Sequence, residues 1–316
     1  MAELTKCRLT LEELKRHVGN EVAGVLGLST VELRLEELGS VSRNDGPAAY
    51  RVSGRSGGAL AVLLCSARSY PEMVQRGMSR ASNARDALAP QQARAILMPL
   101  LEGRVENCTF ALLRYCSPLT ARRPLRWLQR ALLAPRLLEW LFQVGASTLS
   151  DVDNSLVESS FGEPLQRLAS LEGLAPSVRD SATLALRRLR DGAWQPRYVL
   201  MHGDFWMGNV LIHPIDSHGH VAWADRFIVI DWAGSELKGY PFYDLVRFAM
   251  SVGMTPRALR AEVVRHCQAL GVDFRDAMSS LLGALGHVAL HLECFPMDQY
   301  LRMAHACHTS MTRAAP

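Results

Sequence analysis

The sequence predicts an α+β chain of two lobes, a small antiparallel-sheet lobe over 1–116 followed by a larger helical lobe over 117–316. Three observations carry that reading. Short apolar runs separated by turn residues crowd the first 116 positions, and long amphipathic stretches fill 119–190 and 256–311. Between the helical blocks lie two strand-like runs, each flanked by residues able to hold metal ions. At 316 residues and 48% hydrophobic, the chain is long enough and apolar enough for two such cores.

Taken in order, Leu11 to Val18 has the spacing of a short amphipathic helix, and Val31 to Leu38 alternates like a half-buried strand. The turn-rich segment from Gly39 to Gly46 leads into a second strand, Ala48 to Val52. A third strand runs from Gly58 to Cys65, a helical stretch from Pro71 to Leu88, and an apolar strand from Phe110 to Cys116, where the lobe boundary is set. Within 119–190, Leu125 to Leu128 and Leu137 to Phe142 are strongly amphipathic, and Pro135 is expected to break the helix between them. Core packing is the commoner cause of such a stripe; tryptophan and arginine on one segment also suit docking on a membrane surface.

The run Met201-His202-Gly203-Asp204-Phe205-Trp206-Met207-Gly208-Asn209-Val210-Leu211 carries the chemistry, together with Phe227-Ile228-Val229-Ile230-Asp231-Trp232. The apolar residues after Asn209 and before Asp231 read as two strands of a hairpin, which would return Asp231 to Asn209. Phosphoryl transfer needs positioning and charge neutralisation more than covalent chemistry. A carboxylate for the acceptor hydroxyl and, five residues later, an amide oxygen for a divalent ion meet that need, and Asp204 and Asn209 have that spacing.

These residues, with Gly239-Tyr240-Pro241-Phe242-Tyr243-Asp244-Leu245 downstream, resemble the aminoglycoside phosphotransferase and choline kinase family, whose fold is protein-kinase-like. The resemblance implies an enzyme that moves the γ-phosphate of ATP, with Mg2+, to a hydroxyl of a small molecule. It makes Asp204 the catalytic base, Asn209 and Asp231 the metal ligands, and His202 a brace for the loop. Gly239, Pro241 and Asp244 become structural supports that cap the next helix and fasten it to the catalytic loop. It also makes the Gly39 to Gly46 segment, with Gly39, Ser40, Ser42 and Gly46, the loop over the phosphates, since small residues let backbone amides come close. Tyr115 and Cys116 fall at the hinge that meets adenine through main-chain groups. Trp206 either faces the acceptor as a flat wall or packs the loop.

One position departs from the pattern. A kinase-like small lobe carries a lysine on its third strand, paired with an acid on the next helix. Here Leu63 or Leu64 occupies that slot, and no lysine lies between Lys15 and Lys238. Arg51, Arg55 or Arg68 could replace it, and Glu72 and Asp86 are the acids on offer from the helix. The other reading is a pseudokinase that binds nucleotide or metabolite in a regulatory role.

Composition narrows the partners. A net charge of +4 hides a bias in which 32 of 35 basic residues are arginine, yet no arginine run is interleaved with aromatics, so no nucleic-acid partner is expected. With a pI near 8.7 and no dense acidic cluster, a sugar or amino alcohol suits this chain better as acceptor than an aminoglycoside-like polycation. Seven scattered cysteines without a Cys-x-x-Cys pair read as reduced structural thiols. His213, His218 and His220 read as a solvated loop rather than a metal site. The opening residues lack a secretory apolar core and no stretch is long enough for a transmembrane segment, so a cytoplasmic location is expected.

Overall fold

The computed structural model describes residues 10–38, 47–214, 222–292 and 295–316. In chain order the elements are α1 (Leu11–Leu26), β1 (Arg34–Glu37), β2 (Ala48–Ser53), β3 (Ala59–Cys65), α2 (Met73–Asp86), the single turn α3 (Pro90–Ala93), β4 (Pro99–Val105), β5 (Cys108–Arg114), β6 (Ser117–Pro118) and α4 (Arg123–Ser147). There follow β7 (Ser150–Asp151), α5 (Glu163–Ala169), α6 (Pro176–Arg190), β8 (Arg197–Met201), β9 (Val210–Ile212), β10 (Phe227–Val229), β11 (Glu236–Gly239), α7 (Tyr243–Val252), α8 (Pro256–Leu270), α9 (Phe274–Leu290) and α10 (Met297–Arg313). They gather into two compact units that interleave along the chain. One comprises Met1–Arg85, Arg94–Arg123 and Val210–Ala233; the other comprises Asp86–Ala93, Pro124–Asn209 and Gly234–Pro316.

The first unit is built on a five-stranded antiparallel sheet in the order β1-β2-β3-β5-β4. Side chains alternate along each strand, so Tyr50, Val52, Ala61, Leu63, Cys65, Phe110 and Leu112 share one buried face. Leu14, Val18 and Val22 of α1, four residues apart, cover that face. The helix starts with a reciprocal capping box between Thr10 and Glu13 and stops where Gly27 turns left-handed at φ 66°. It is longer than the expected Leu11 to Val18, because the buried series continues through Val22 and no residue stops the helix before Gly27. The expected strand Val31 to Leu38 is shorter, for the opposite reason. Glu32 N donates to Ser29 O and Leu33 N to Thr30 O, a turn that leaves Val31 90% exposed and lets only the stretch from Arg34 pair with β2.

A second sheet of the first unit, β10-β9-β6, holds the anticipated hairpin: Val210 pairs with Val229, Leu211 with Ile228 and Ile212 with Phe227. The start of β9 and the end of β10 therefore lie at the same end of the ladder. In the second unit, β11-β8-β7 form a small sheet, and α5 packs on α6 and α9. The α5–α9 crossing is tight enough that a Cβ on Gly286 would sit 2.0 Å from Pro164 O. Phe161 lies at the centre of an aromatic cluster, its ring 4.9 Å from Tyr240 and 5.6 Å from both Trp194 and Tyr198.

Pro135 does not break its helix, contrary to the sequence expectation. α4 runs unbroken from Arg123 to Ser147 with Pro135 on its exposed side, where water can satisfy the carbonyl that proline leaves unbonded. Leu133, Leu137, Leu138, Trp140, Leu141 and Val144 are buried and hold the helix through that position. Only this half of the amphipathic stripe is core, since Leu125, Trp127, Leu128 and Leu132 are exposed. Among the described residues no helix is long and apolar enough to cross a membrane. Cys65, Cys108, Cys116, Cys267 and Cys307 are free and buried, and burial pushes the Cys116 thiol up to about 11.

Candidate active site

One face of α7 reads the loop between β8 and β9 residue by residue. Asp244, Arg247 and Ser251 follow one another at helical spacing and share that face. Asp244 accepts hydrogen bonds from His202 N (2.6 Å) and Gly203 N (3.1 Å). Arg247 Nη2 donates to Asp204 Oδ1 at 2.9 Å, and Ser251 Oγ accepts from Met207 N at 3.1 Å. Between them Phe205, fully buried, packs on Phe248 at 5.1 Å and stacks on Trp140 at 5.6 Å. Asp244 therefore fastens the loop but does not cap the helix, whose N-cap is Phe242 with no side-chain cap bond. Burial pushes the Asp244 carboxyl up to about 6, the two backbone N–H groups offsetting part of that rise.

Glycines set how closely the backbones approach. Gly203 has φ 86°, and a Cβ there would lie 2.3 Å from Gly234 O. Gly239 sits at an irregularity in the β11–β8 ladder, where a Cβ would meet the Met201 Cβ at 2.3 Å. Pro241 is buried one residue before Phe242, which itself takes an unusual positive φ of 70°. Such local strain persists only where the surroundings hold it in place.

Asp204 is fixed at both carboxylate oxygens. Arg247 holds Oδ1, while Trp206 Nε1 (3.2 Å) and Asn209 Nδ2 (3.1 Å) both donate to Oδ2. The side chain nevertheless remains 44% exposed. His202 is buried and accepts the Asp204 N–H on Nδ1 at 3.2 Å, the contact of a brace. Trp206 combines its two anticipated roles: its indole N–H is on Asp204, and its ring lies where a Gly208 Cβ would be, 2.2 Å away, with 43% of the residue still exposed.

Asn209 also donates Nδ2 to Asp204 O at 2.9 Å. With the amide nitrogen committed twice to Asp204, the amide oxygen Oδ1 is the atom that could face a cation. Asp231 belongs to the first unit, two residues past β10, in a left-handed conformation at φ 67°. The turn around it is tied down at three points. Val229 N donates to Ala95 O (2.7 Å), Trp232 Nε1 to Val229 O (2.9 Å) and Arg80 Nη1 to Ala233 O (2.6 Å). An amide oxygen and a carboxylate are hard oxygen donors of the kind magnesium takes. Among the described residues no cluster of three histidine, cysteine or acidic side chains could hold a metal.

The remaining sequence candidates fall out as follows. Gly39, Ser40, Ser42 and Gly46 lie outside the described residues, as do His218 and His220. Tyr115 N donates to Leu60 O (3.0 Å), and Cys116 is buried two residues past β5. Leu63 is buried under α1 and Leu64 points to the opposite face of the sheet. Arg51, Arg55 and Arg68 form ion pairs with Glu36, Glu32 and Glu106. Glu72 pairs with Arg104 at 3.0 Å. Arg247 escaped the sequence reading. Its signal was the i,i+3 spacing from Asp244, which puts both on one helix face.

An antiparallel five-stranded sheet, a helical unit, and Asp204 and Asn209 on a braced loop ahead of a β-hairpin define a kinase-like phosphotransferase. The profile of the phosphotransferase enzyme family (APH) matches residues 41–278, and the chain belongs to that family. Solved structures share the fold. A thermostable mutant of aminoglycoside phosphotransferase APH(4)-Ia, in ternary complex with AMP-PNP and hygromycin B, is 15% identical with a TM-score of 0.54, over 94% of this chain and 99% of that one. A choline/ethanolamine kinase family protein from Mesorhizobium loti is 15% identical with a TM-score of 0.52, over 95% and 94%. Choline kinase LicA from Streptococcus pneumoniae is 12% identical with a TM-score of 0.51, over 95% and 99%. No curated protein matches the chain by sequence.

Proposed function

We propose that this phosphotransferase moves the γ-phosphate of ATP, with Mg2+, to a hydroxyl of a small molecule such as a sugar, an amino alcohol or an aminoglycoside-like acceptor. Residues 1–116 serve the nucleotide, and residues 117–316 serve catalysis and the acceptor. The observation that carries the reading is Asp204, a carboxylate with three side-chain donors on its two oxygens that stays accessible to solvent. A phosphoryl transition state asks its base mainly to aim the attacking oxygen, and a carboxylate that cannot swing does that.

Asp204 takes the acceptor's hydroxyl proton and orients its oxygen in line with the transferring group. Arg247 and the Trp206 indole keep the carboxylate in that attitude, while the exposed part of the Trp206 ring offers the acceptor an apolar wall. Asn209 Oδ1 and Asp231 are the hard oxygen donors that would take magnesium, which would supply charge neutralisation at the phosphates. Kinship with choline and ethanolamine kinases and with an aminoglycoside enzyme supports a hydroxyl on a compact polar acceptor.

The test is a mass-spectrometric screen of a metabolite library with ATP and magnesium, run beside Asp204→Ala. A product gaining one phosphoryl group with the native chain and absent with the variant is the expected result. The pseudokinase alternative has its own support in Leu64. It predicts no product in that screen, and equal thermal stabilisation by ATP for the native chain and Asp231→Asn whether or not magnesium is present.

A further inference from the structure

We propose that Arg80, on α2, supplies the phosphate-binding cation that other kinase-like small lobes place on the third strand; this rests on the phosphotransferase reading above. Three observations within the first unit converge on it. The sheet face opposite α1 carries Val62 and Leu64 on β3, so the strand brings no charge there. Met73–Asp86 carries a single acid, Asp86, nine residues from Gly77 and hence on the far side of the helix. Where the usual pairing puts a cation on the strand and a carboxylate on the helix, this chain has no charge on the strand and its one helix acid lies away from the Gly77 face. A lone helix carboxylate facing phosphates without its lysine would only repel them.

The helix instead presents arginines to the turn that bears Asp231. Gly77 abuts Ala233, with 3.8 Å from a Cβ placed there to that of Ala233. Arg80, three residues along the same face, donates to Ala233 O at 2.6 Å, and Arg76 lies one helical turn before it. The start of α2 is itself anchored. Val74 N donates to Ser66 Oγ (3.0 Å) at the end of β3, and Gln75 N to Thr109 Oγ1 (3.2 Å) on β5. The guanidinium of Arg80 is thus held two residues from the proposed metal ligand, and a planar fork of donors suits phosphate oxygens. Arg51, Arg55 and Arg68 form ion pairs with Glu36, Glu32 and Glu106, away from that turn in sequence, and the Arg55 side chain is 76% exposed.

The experiment is calorimetric titration of the full chain with Mg·AMP-PNP and, separately, with adenosine. Arg80→Gln keeps a donor for Ala233 O and removes the charge; Arg104→Ala removes a cation from the nearby surface as a control. The expected result is Mg·AMP-PNP binding weakened about 10- to 100-fold in Arg80→Gln, the scale of a lost charge-assisted contact, with adenosine binding and Arg104→Ala unchanged. Native-like Mg·AMP-PNP affinity in Arg80→Gln, alongside a clear loss in Asp231→Asn, would overturn this inference and leave the phosphotransferase reading standing. Failure of the native chain to bind Mg·AMP-PNP at all would remove both.

Discussion

At the level of single residues, Asp204 and the three side chains that donate to it form one network. Replacing Arg247 with glutamine should leave Asp204 held at Oδ2 by Trp206 and Asn209 but without the charged donor that fixes Oδ1. A fall in kcat of about 100-fold, with the acceptor KM moving much less, is expected from misorientation on that scale. A KM effect with kcat intact would instead assign Arg247 to acceptor binding. Asp244 makes a prediction in pH. Its folded value near 6 lies above the ordinary 3.8, so the native state binds the proton more tightly than the unfolded chain does. The stability this gives is present below about pH 4 and is lost as pH rises through 6, a change of about 3 kcal/mol. Asp244→Asn lacks that titration and turns an amide N–H toward a backbone donor, so it should be less stable than the native chain. Urea titrations at pH 4.5 and 7 should find the gap narrowing with pH; a widening gap would refute the assignment.

Elements show where local sequence suffices and where packing decides. α1 was legible at its start, because the Thr10 to Glu13 box and the leucine–valine spacing are local signals, whereas its end depended on Gly27 adopting a left-handed turn. The β9–β10 hairpin was legible from its apolar runs alone. Pro135 misled, since a proline halts a helix by its lost bond only when no buried face holds the turns on either side. Pro135→Ala should therefore raise stability, by about 1–3 kcal/mol, with the thermal midpoint rising and the helical content unchanged. A lower midpoint would mean that the ring itself packs usefully. On the catalytic loop the opposite holds. Gly203→Ala forces a Cβ against Gly234 O in a backbone region that alanine avoids, and phosphotransfer should drop below detection with a loss of several kcal/mol in urea unfolding.

For the molecule as a whole, the spacing of Asp204, Asn209 and Asp231, with the Gly239 to Leu245 segment downstream, made the family legible. What stayed hidden was everything set by contacts between segments far apart in the chain: Arg247 on Asp204, Arg80 on the Asp231 turn, and the interleaving of the two units. The first unit recruits Val210–Ala233, which supplies β9 and β10 beside β6 and buries Val210, Ile228, Val229 and Trp232. A fragment ending at residue 123 would lack those strands and leave the β6 edge unpaired. Expressed alone, it should melt without a cooperative transition and bind hydrophobic dyes, and a sharp two-state melt would show that the hairpin is dispensable.

Leucine at position 64 also reaches beyond catalysis. An amine-directed electrophile tethered to a nucleotide bonds only where a lysine lies within its reach. With lysines only at 6, 15 and 238, this protein offers such a warhead no nucleophile on its third strand. A guanidinium is too weakly nucleophilic to be acylated in its place. An inhibitor whose electrophile is aimed at a third-strand lysine would find no amine there to bond.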